Sequence, residues 1–312
     1  MSPSATRRKT AEPGAAAEQR IQVRKTYKLY IGGAFPRSES GRTYEVRDSH
    51  DRLLANAAMG SRKDARDAVA AARGAFAKWS CATAYNRGQV LYRVAELMEG
   101  RRSQFAAEVS AAEGLSPARA DKVVAQAIDR WVWYAGWPDK LAQVLGALNP
   151  VAGPYFNISA PEPTGVVAAL APQGSSLLGL VSVLAPIVVS GNTAVILTSE
   201  QRPLPAVTLA EVLATSDVPA GVINLITGRT AEVAPWLASH QDVNAIDLAG
   251  AAGADAVMWA DLERAGAQNL KRVLRPAGDG ADAVEPDWSP TPDLTRMKAY
   301  LETKTVWHPK GR

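Results

Sequence analysis

The residues best suited to chemistry in this chain are few and widely separated. It holds one thiol, Cys81, and three imidazoles, His50, His240 and His308. Cys81 follows Trp79-Ser80 between two helical stretches, with Lys78 and Arg87 nearby. Cations of that kind can lower a thiol pKa, yet nothing else at the position marks a nucleophile, and an inert thiol is expected. The histidines lack His-x-x-x-His spacing, so no metal site is expected. Gly32-Gly33 and Gly278-Asp279-Gly280 lack the lysine and the strand-to-helix setting of a phosphate loop. No Gly-x-Ser-x-Gly elbow occurs. The residues by themselves therefore name no catalytic group.

The elements that would position a site are easier to read. The 312 residues can bury a sizeable core as one large domain or two smaller ones. Fractions of 47% hydrophobic and 21% charged are those of a globular protein. Net charge is only +4, so a pI near 9.2 argues weakly for nucleic acid, and no nucleic-acid partner is expected. Much of the basic excess lies in Arg7, Arg8, Lys9, Arg20, Arg24, Lys25 and Lys28, so residues 1–26 read as a disordered basic tail. A single cysteine excludes an internal disulfide and fits a cytoplasmic location. The longest apolar run, 177–189, contains Pro186 and is too short to span a bilayer.

Lys28-Leu-Tyr-Ile-Gly-Gly-Ala-Phe suggests a short strand and turn. Ser61 can cap a helix bearing Ala65, Ala68, Val69, Ala72 and Phe76 at helical spacing. A second helix carries Val90, Leu91, Val94, Leu97 and Met98, and a third covers about 118–134. Trp131, Trp133 and Trp137 there are expected in the core rather than as a base-stacking platform. Residues 149–163 read as an excursion with one or two short strands. Then Val166-Val-Ala-Ala-Leu, Ala194-Val-Ile-Leu, Val222-Ile-Asn-Leu-Ile and Asn244-Ala-Ile-Asp-Leu alternate with helical stretches such as 205–214 and 231–239. Continuous apolar strands between helices indicate a parallel sheet covered on both faces. Lys271-Arg-Val-Leu supplies a fifth strand. A Pro/Asp/Gly-rich linker follows, then a short helix near 294–300 and a terminal strand at Thr303-Lys-Thr-Val-Trp.

Gly165-Val-Val with Ala171-Pro172, then Gly191-Asn-Thr-Ala-Val-Ile-Leu and Ser199-Glu200, resemble the aldehyde dehydrogenase superfamily. So do Pro219-Ala-Gly-Val-Ile-Asn-Leu-Ile-Thr-Gly228, Ala238-Ser-His-Gln-Asp-Val, Tyr30-Ile-Gly-Gly-Ala-Phe and Ala75-Phe-Ala-Lys-Trp. The resemblance covers about residues 27–275, and Tyr300-Leu-Glu-Thr-Lys-Thr-Val-Trp is similar to the family's closing strand. It implies an α/β fold: a Rossmann-like parallel sheet of about five strands, helices on both faces, an N-terminal helical region and a small β oligomerisation element. The implied divisions are 27–148 for the N-terminal helical part, 149–163 for the oligomerisation excursion and 164–275 for the cofactor-binding-type domain. Residues 276–293 would be a linker replacing the catalytic domain, and 294–312 a short helix and the terminal oligomerisation strand.

The same resemblance exposes departures. The family's Pro-Trp-Asn, whose asparagine stabilises an oxyanion, reads Pro172-Gln173-Gly174. Losing one such donor costs about two to three orders of magnitude in rate. Lys-Pro-Ser-Glu reads Leu197-Thr198-Ser199-Glu200, so the ribose-binding lysine is Leu197. Phe-Thr-Gly-Ser reads Leu248-Ala249-Gly250-Ala251, and the general-base glutamate aligns with Pro276. No catalytic or metal-binding residue is expected. Pro172, Glu200, Gly228 and Gly250 are the candidates for holding NAD or NADP, a function weakened by Leu197 and Ala251. The resemblance implies a non-catalytic subunit in a hetero-oligomer with a full-length paralogue. The alternatives are an NAD(P)-dependent oxidoreductase with non-thiol chemistry and a dinucleotide-binding module without turnover.

Overall fold

The computed structural model describes residues 25–254, 257–276, 278 and 283–311. Most of the expected tail, 1–24, lies outside them, and Thr26 already belongs to a strand. β1 (Thr26–Tyr27), β2 (Thr43–Arg47) and β3 (Leu53–Ala58) form a small sheet in the order β1-β3-β2. The β2–β3 hairpin was not apparent in the sequence. Asp48 closes its turn by accepting the backbone N–H groups of His50 and Arg52 at 2.9 and 2.8 Å.

Ser61 caps α1 (Arg62–Ser80) as expected. Asp64 reaches back to the Ser61 N–H at 2.8 Å, completing a capping box. Asp64 also accepts from Ser38 Oγ at 2.8 Å, which ties the preceding loop to the helix start. α2 (Ala84–Gly100), α3 (Arg102–Glu113) and α4 (Pro117–Ala135) follow, then the short α5 (Leu141–Leu145). Trp131 is fully buried at the end of α4, while Trp133 and Trp137 are half-buried against the same core.

β4 (Ala147–Asn149) and β5 (Tyr155–Pro163) form an antiparallel pair. The central sheet then runs through β6 (Val166–Leu170), β7 (Thr193–Leu197), β8 (Ile223–Ile226), β9 (Ala245–Asp247) and β10 (Arg272–Leu274). Its five strands are parallel, in the order β10-β9-β6-β7-β8. Every residue of β6, β7 and β8 is buried, as a sheet covered on both faces requires.

Alternation along the strands divides the core. Val167, Ala169, Ala194 and Ile196 pack with α2, α4, α7 (Leu204–Leu213) and the wholly buried α6 (Leu178–Val189). Val166, Ala168, Leu170, Val195 and Leu197 face α1, α8 (Thr230–Ser239) and α9 (Trp259–Ala267). A helix that is apolar all round, like α6, belongs in a core. Among the described residues, no helix is long and apolar enough to cross a membrane.

The C-terminal segment returns to the core. After α10 (Thr295–Ala299), the carbonyl of Tyr300 accepts from Asn192 Nδ2 at 2.9 Å and from the Thr164 N–H at 3.2 Å. β11 (Leu301–Pro309) then pairs antiparallel with β5 along its whole length, from Leu301 opposite Pro163 to Pro309 opposite Tyr155. The resulting sheet has the order β11-β5-β4.

Candidate functional site at the strand-order reversal

β6 lies mid-sheet. The chain runs outward to β7 and β8 on one side, then crosses to β9 and β10 on the other. In open α/β sheets ligands bind outside the carboxyl ends of the strands at such a reversal. All four candidate residues lie just beyond carboxyl ends: Pro172 after β6, Glu200 after β7, Gly228 after β8 and Gly250 after β9. The parallel topology therefore puts them on one edge of the sheet.

Their contacts are largely internal. Pro172 packs against Gly179 in the first turn of α6. A Cβ on Gly250 would lie 2.1 Å from the Ala171 carbonyl oxygen and 2.7 Å from that of Leu170, so only glycine permits this approach across the reversal. Gly228 (φ +150°) takes a backbone conformation that favours glycine and abuts Gly60. Glu200 accepts the Thr230 N–H at 2.9 Å, placing a carboxylate at the start of α8 where the helix dipole favours it. Tyr44 lies beside Glu200, and burial followed by that carboxylate raises its pKa well above the ordinary phenol value.

Four further groups define the edge, and none was apparent in the sequence. Gln173 joins two loops: its amide donates to the Ala171 carbonyl at 2.9 Å and accepts the Glu200 N–H at 2.9 Å. Glu285, from the stretch expected to be a linker, accepts the Gly174 N–H at 2.8 Å and the Ser175 N–H at 3.1 Å. It also accepts Trp288 Nε1–H at 3.2 Å. A Cβ on Gly253, in the loop after β9, would lie 3.2 Å from the same carboxylate. Glu285 thus sits between the loop after β6 and the loop after β9.

Asp247, fully buried at the end of β9, accepts from Tyr300 Oη at 2.6 Å and the Ala249 N–H at 2.9 Å, and pairs with Arg296. Burial, and then the Asp247 charge, push the Tyr300 pKa well above its usual value. Arg130 is buried too, donating to Ser182 Oγ and, at 2.7 Å, to the Pro290 carbonyl. Arg130, Trp288 and Arg296 border a cavity of about 360 Å³ under the segment.

Cys81 is exposed and lines a different depression, with Pro163 and Ser190, at the amino end of the sheet. It is remote from the reversal. Among the described residues no cluster of His, Cys, Asp and Glu could hold a metal ion.

Residues 35–281 match the aldehyde dehydrogenase family model. The chain belongs to the aldehyde dehydrogenase family. An aldehyde dehydrogenase of Enchytraeus buchholzi is 33% identical over 83% of this chain and 52% of its own length. A Bacillus cereus aldehyde dehydrogenase, solved in complex with NAD+, is 25% identical with a TM-score of 0.73, covering 80% of this chain and 50% of that one. Aldehyde dehydrogenase C of Pseudomonas syringae, solved with NAD+ and octanal, is 29% identical with a TM-score of 0.70, covering 79% and 49%. The chain spans about half the length of the relatives it matches.

A dinucleotide fits poorly against these aldehyde dehydrogenase-like loops as they stand. The paired amides of Gly174 and Ser175 already hold a carboxylate, and Glu200 is engaged at the start of α8. Leu197 is buried in the sheet core, and Ala251 is buried without a hydroxyl to offer.

Proposed function

We propose that this chain is a non-catalytic subunit that assembles with a full-length NAD(P)-dependent aldehyde dehydrogenase and stabilises or regulates it. The observation that carries this reading is the β11-β5-β4 sheet. Beyond Leu301 every residue of β11 is exposed, and its outer edge is unpaired among the described residues. Leu148, Phe156, Ile158 and Val306 are large, exposed apolar residues on the strands, and so are Tyr155 and Trp307, which meet edge to face at 5.8 Å. The register places Val306 opposite Ile158, and Leu148 opposite Ile158 from the other side, giving a contiguous apolar strip. Apolar strips and open strand edges mark association surfaces.

Support for the absence of turnover comes from the reversal. A thiol-dependent oxidation needs a thiolate at the reacting carbon, and the one cysteine lies at the opposite end of the sheet. By the family resemblance, the oxyanion asparagine is Gly174 and the base is Pro276. The connection from β10 to β11, residues 275–300, contains no cysteine, and its described residues 283–300 pack across the reversal. Co-expression with a full-length, cysteine-bearing aldehyde dehydrogenase, followed by size-exclusion chromatography, tests the reading. Co-elution in one assembly is expected, and elution as two separate, well-folded species would overturn it.

A further inference from the structure

We propose that residues 283–300 are a built-in strap that closes the crevice at the strand-order reversal, with the Glu285 carboxylate acting as an internal anion that competes with phosphate groups of an incoming dinucleotide. Three fastenings support this. At the start of the strap, Glu285 receives two consecutive backbone N–H groups, from Gly174 and Ser175. Successive amides converging on one carboxylate form the kind of concavity that binds phosphate oxygens. Midway, Arg130 holds the Pro290 carbonyl at 2.7 Å. At the end, Arg296 and Tyr300 both engage the buried Asp247.

The fastenings differ in depth. Asp247 is fully buried and Arg130 nearly so, whereas Glu285 is only half-buried and Gly174 is exposed. The deep contacts hold the strap in place, while the Glu285 contact is the one an external anion can reach. Placement matters as much as chemistry. Glu285 lies between Gly174 of the first loop and Gly253 of the fourth, in the position that the sheet topology reserves for a ligand. Trp288 Nε1–H donates to the same carboxylate, and the Arg296 guanidinium lies 5.0 Å from the Trp288 ring centre, so the indole reports on both ends.

This inference concerns the chain alone and is independent of any partner. Calorimetric titration of the full chain with NAD+, and separately with inorganic pyrophosphate, is compared for wild type, Glu285→Ala and Glu285→Gln. Removing a charge-assisted acceptor from two amides is expected to tighten both probes about tenfold or more in Glu285→Ala, with a smaller gain in Glu285→Gln. In wild type, whatever binding occurs is expected to change Trp288 emission, because the indole loses its acceptor. Equal affinity in all three proteins, each folded by circular dichroism, would overturn the strap. A gain for NAD+ with none for pyrophosphate would also overturn it, since the competition is for phosphate. Should Glu285→Ala fail to fold, the sign of the change in Glu285→Gln decides.

Discussion

The two ends of the C-terminal segment treat their binding groups in opposite ways. Over the central sheet, residues 283–300 satisfy polar groups within the chain: Glu285 on two amides, Arg130 on a carbonyl, Arg296 and Tyr300 on Asp247. A few residues later, β11 leaves its outer edge and several large apolar side chains exposed. The first region has turned its polar groups inward. The second leaves a strand edge and apolar side chains open to solvent. That contrast is what the proposal of assembly without turnover rests on.

The contrast can be broken most forcefully at Asp247. Asp247→Ala leaves the partly buried Arg296 without its carboxylate and Tyr300 without its acceptor. A loss of about 3–5 kcal/mol in unfolding free energy is expected by urea titration. Tyr300→Phe, which removes only a hydroxyl donor, is expected to cost about 1–2 kcal/mol. Equal, small effects from both would mean that the strap is not anchored there.

At the other region the expected effect on stability is smallest. Val306→Asp with Trp307→Asp changes exposed positions, so the isolated chain should shift by about 0.5 kcal/mol or less per site in the same titration. Co-elution with a full-length aldehyde dehydrogenase should nevertheless be lost. A large drop in stability with assembly intact would reverse the roles given to the two regions.

What the sequence made legible was whatever repeats locally. The apolar runs at Val166, Ala194, Val222 and Asn244 marked the parallel strands β6 to β9, because burial on both faces leaves a continuous apolar pattern. Lys271-Arg-Val-Leu contained the half-exposed edge strand β10. Ser61 announced α1 through its capping chemistry. α3 was missed because only Phe105, Val109 and Ala112 mark its buried face amid Ala, Ser and charged residues. The β2–β3 hairpin was missed because an Asp48-centred turn replaces the usual glycine signal.

The site was less legible for a different reason. Glu285 meets Gly174 across 111 positions and Tyr300 meets Asp247 across 53, and neither contact leaves a local trace. A proline-rich stretch fastened by isolated polar contacts reads as a linker, since its order owes nothing to periodicity. Family motifs picked out four residues, Pro172, Glu200, Gly228 and Gly250, that share one edge of the sheet. They gave no sign that the chain's own carboxylate sits among those loops.

Hydrogen–deuterium exchange of the chain, alone and mixed with a full-length aldehyde dehydrogenase, tests the central claim most directly. The expected result is new protection at 155–163 and 301–309, with exchange at 172–175 and 285–300 unchanged. Protection that appears at 172–175 on adding NAD+ alone, with none at 301–309 on adding the partner, would contradict it.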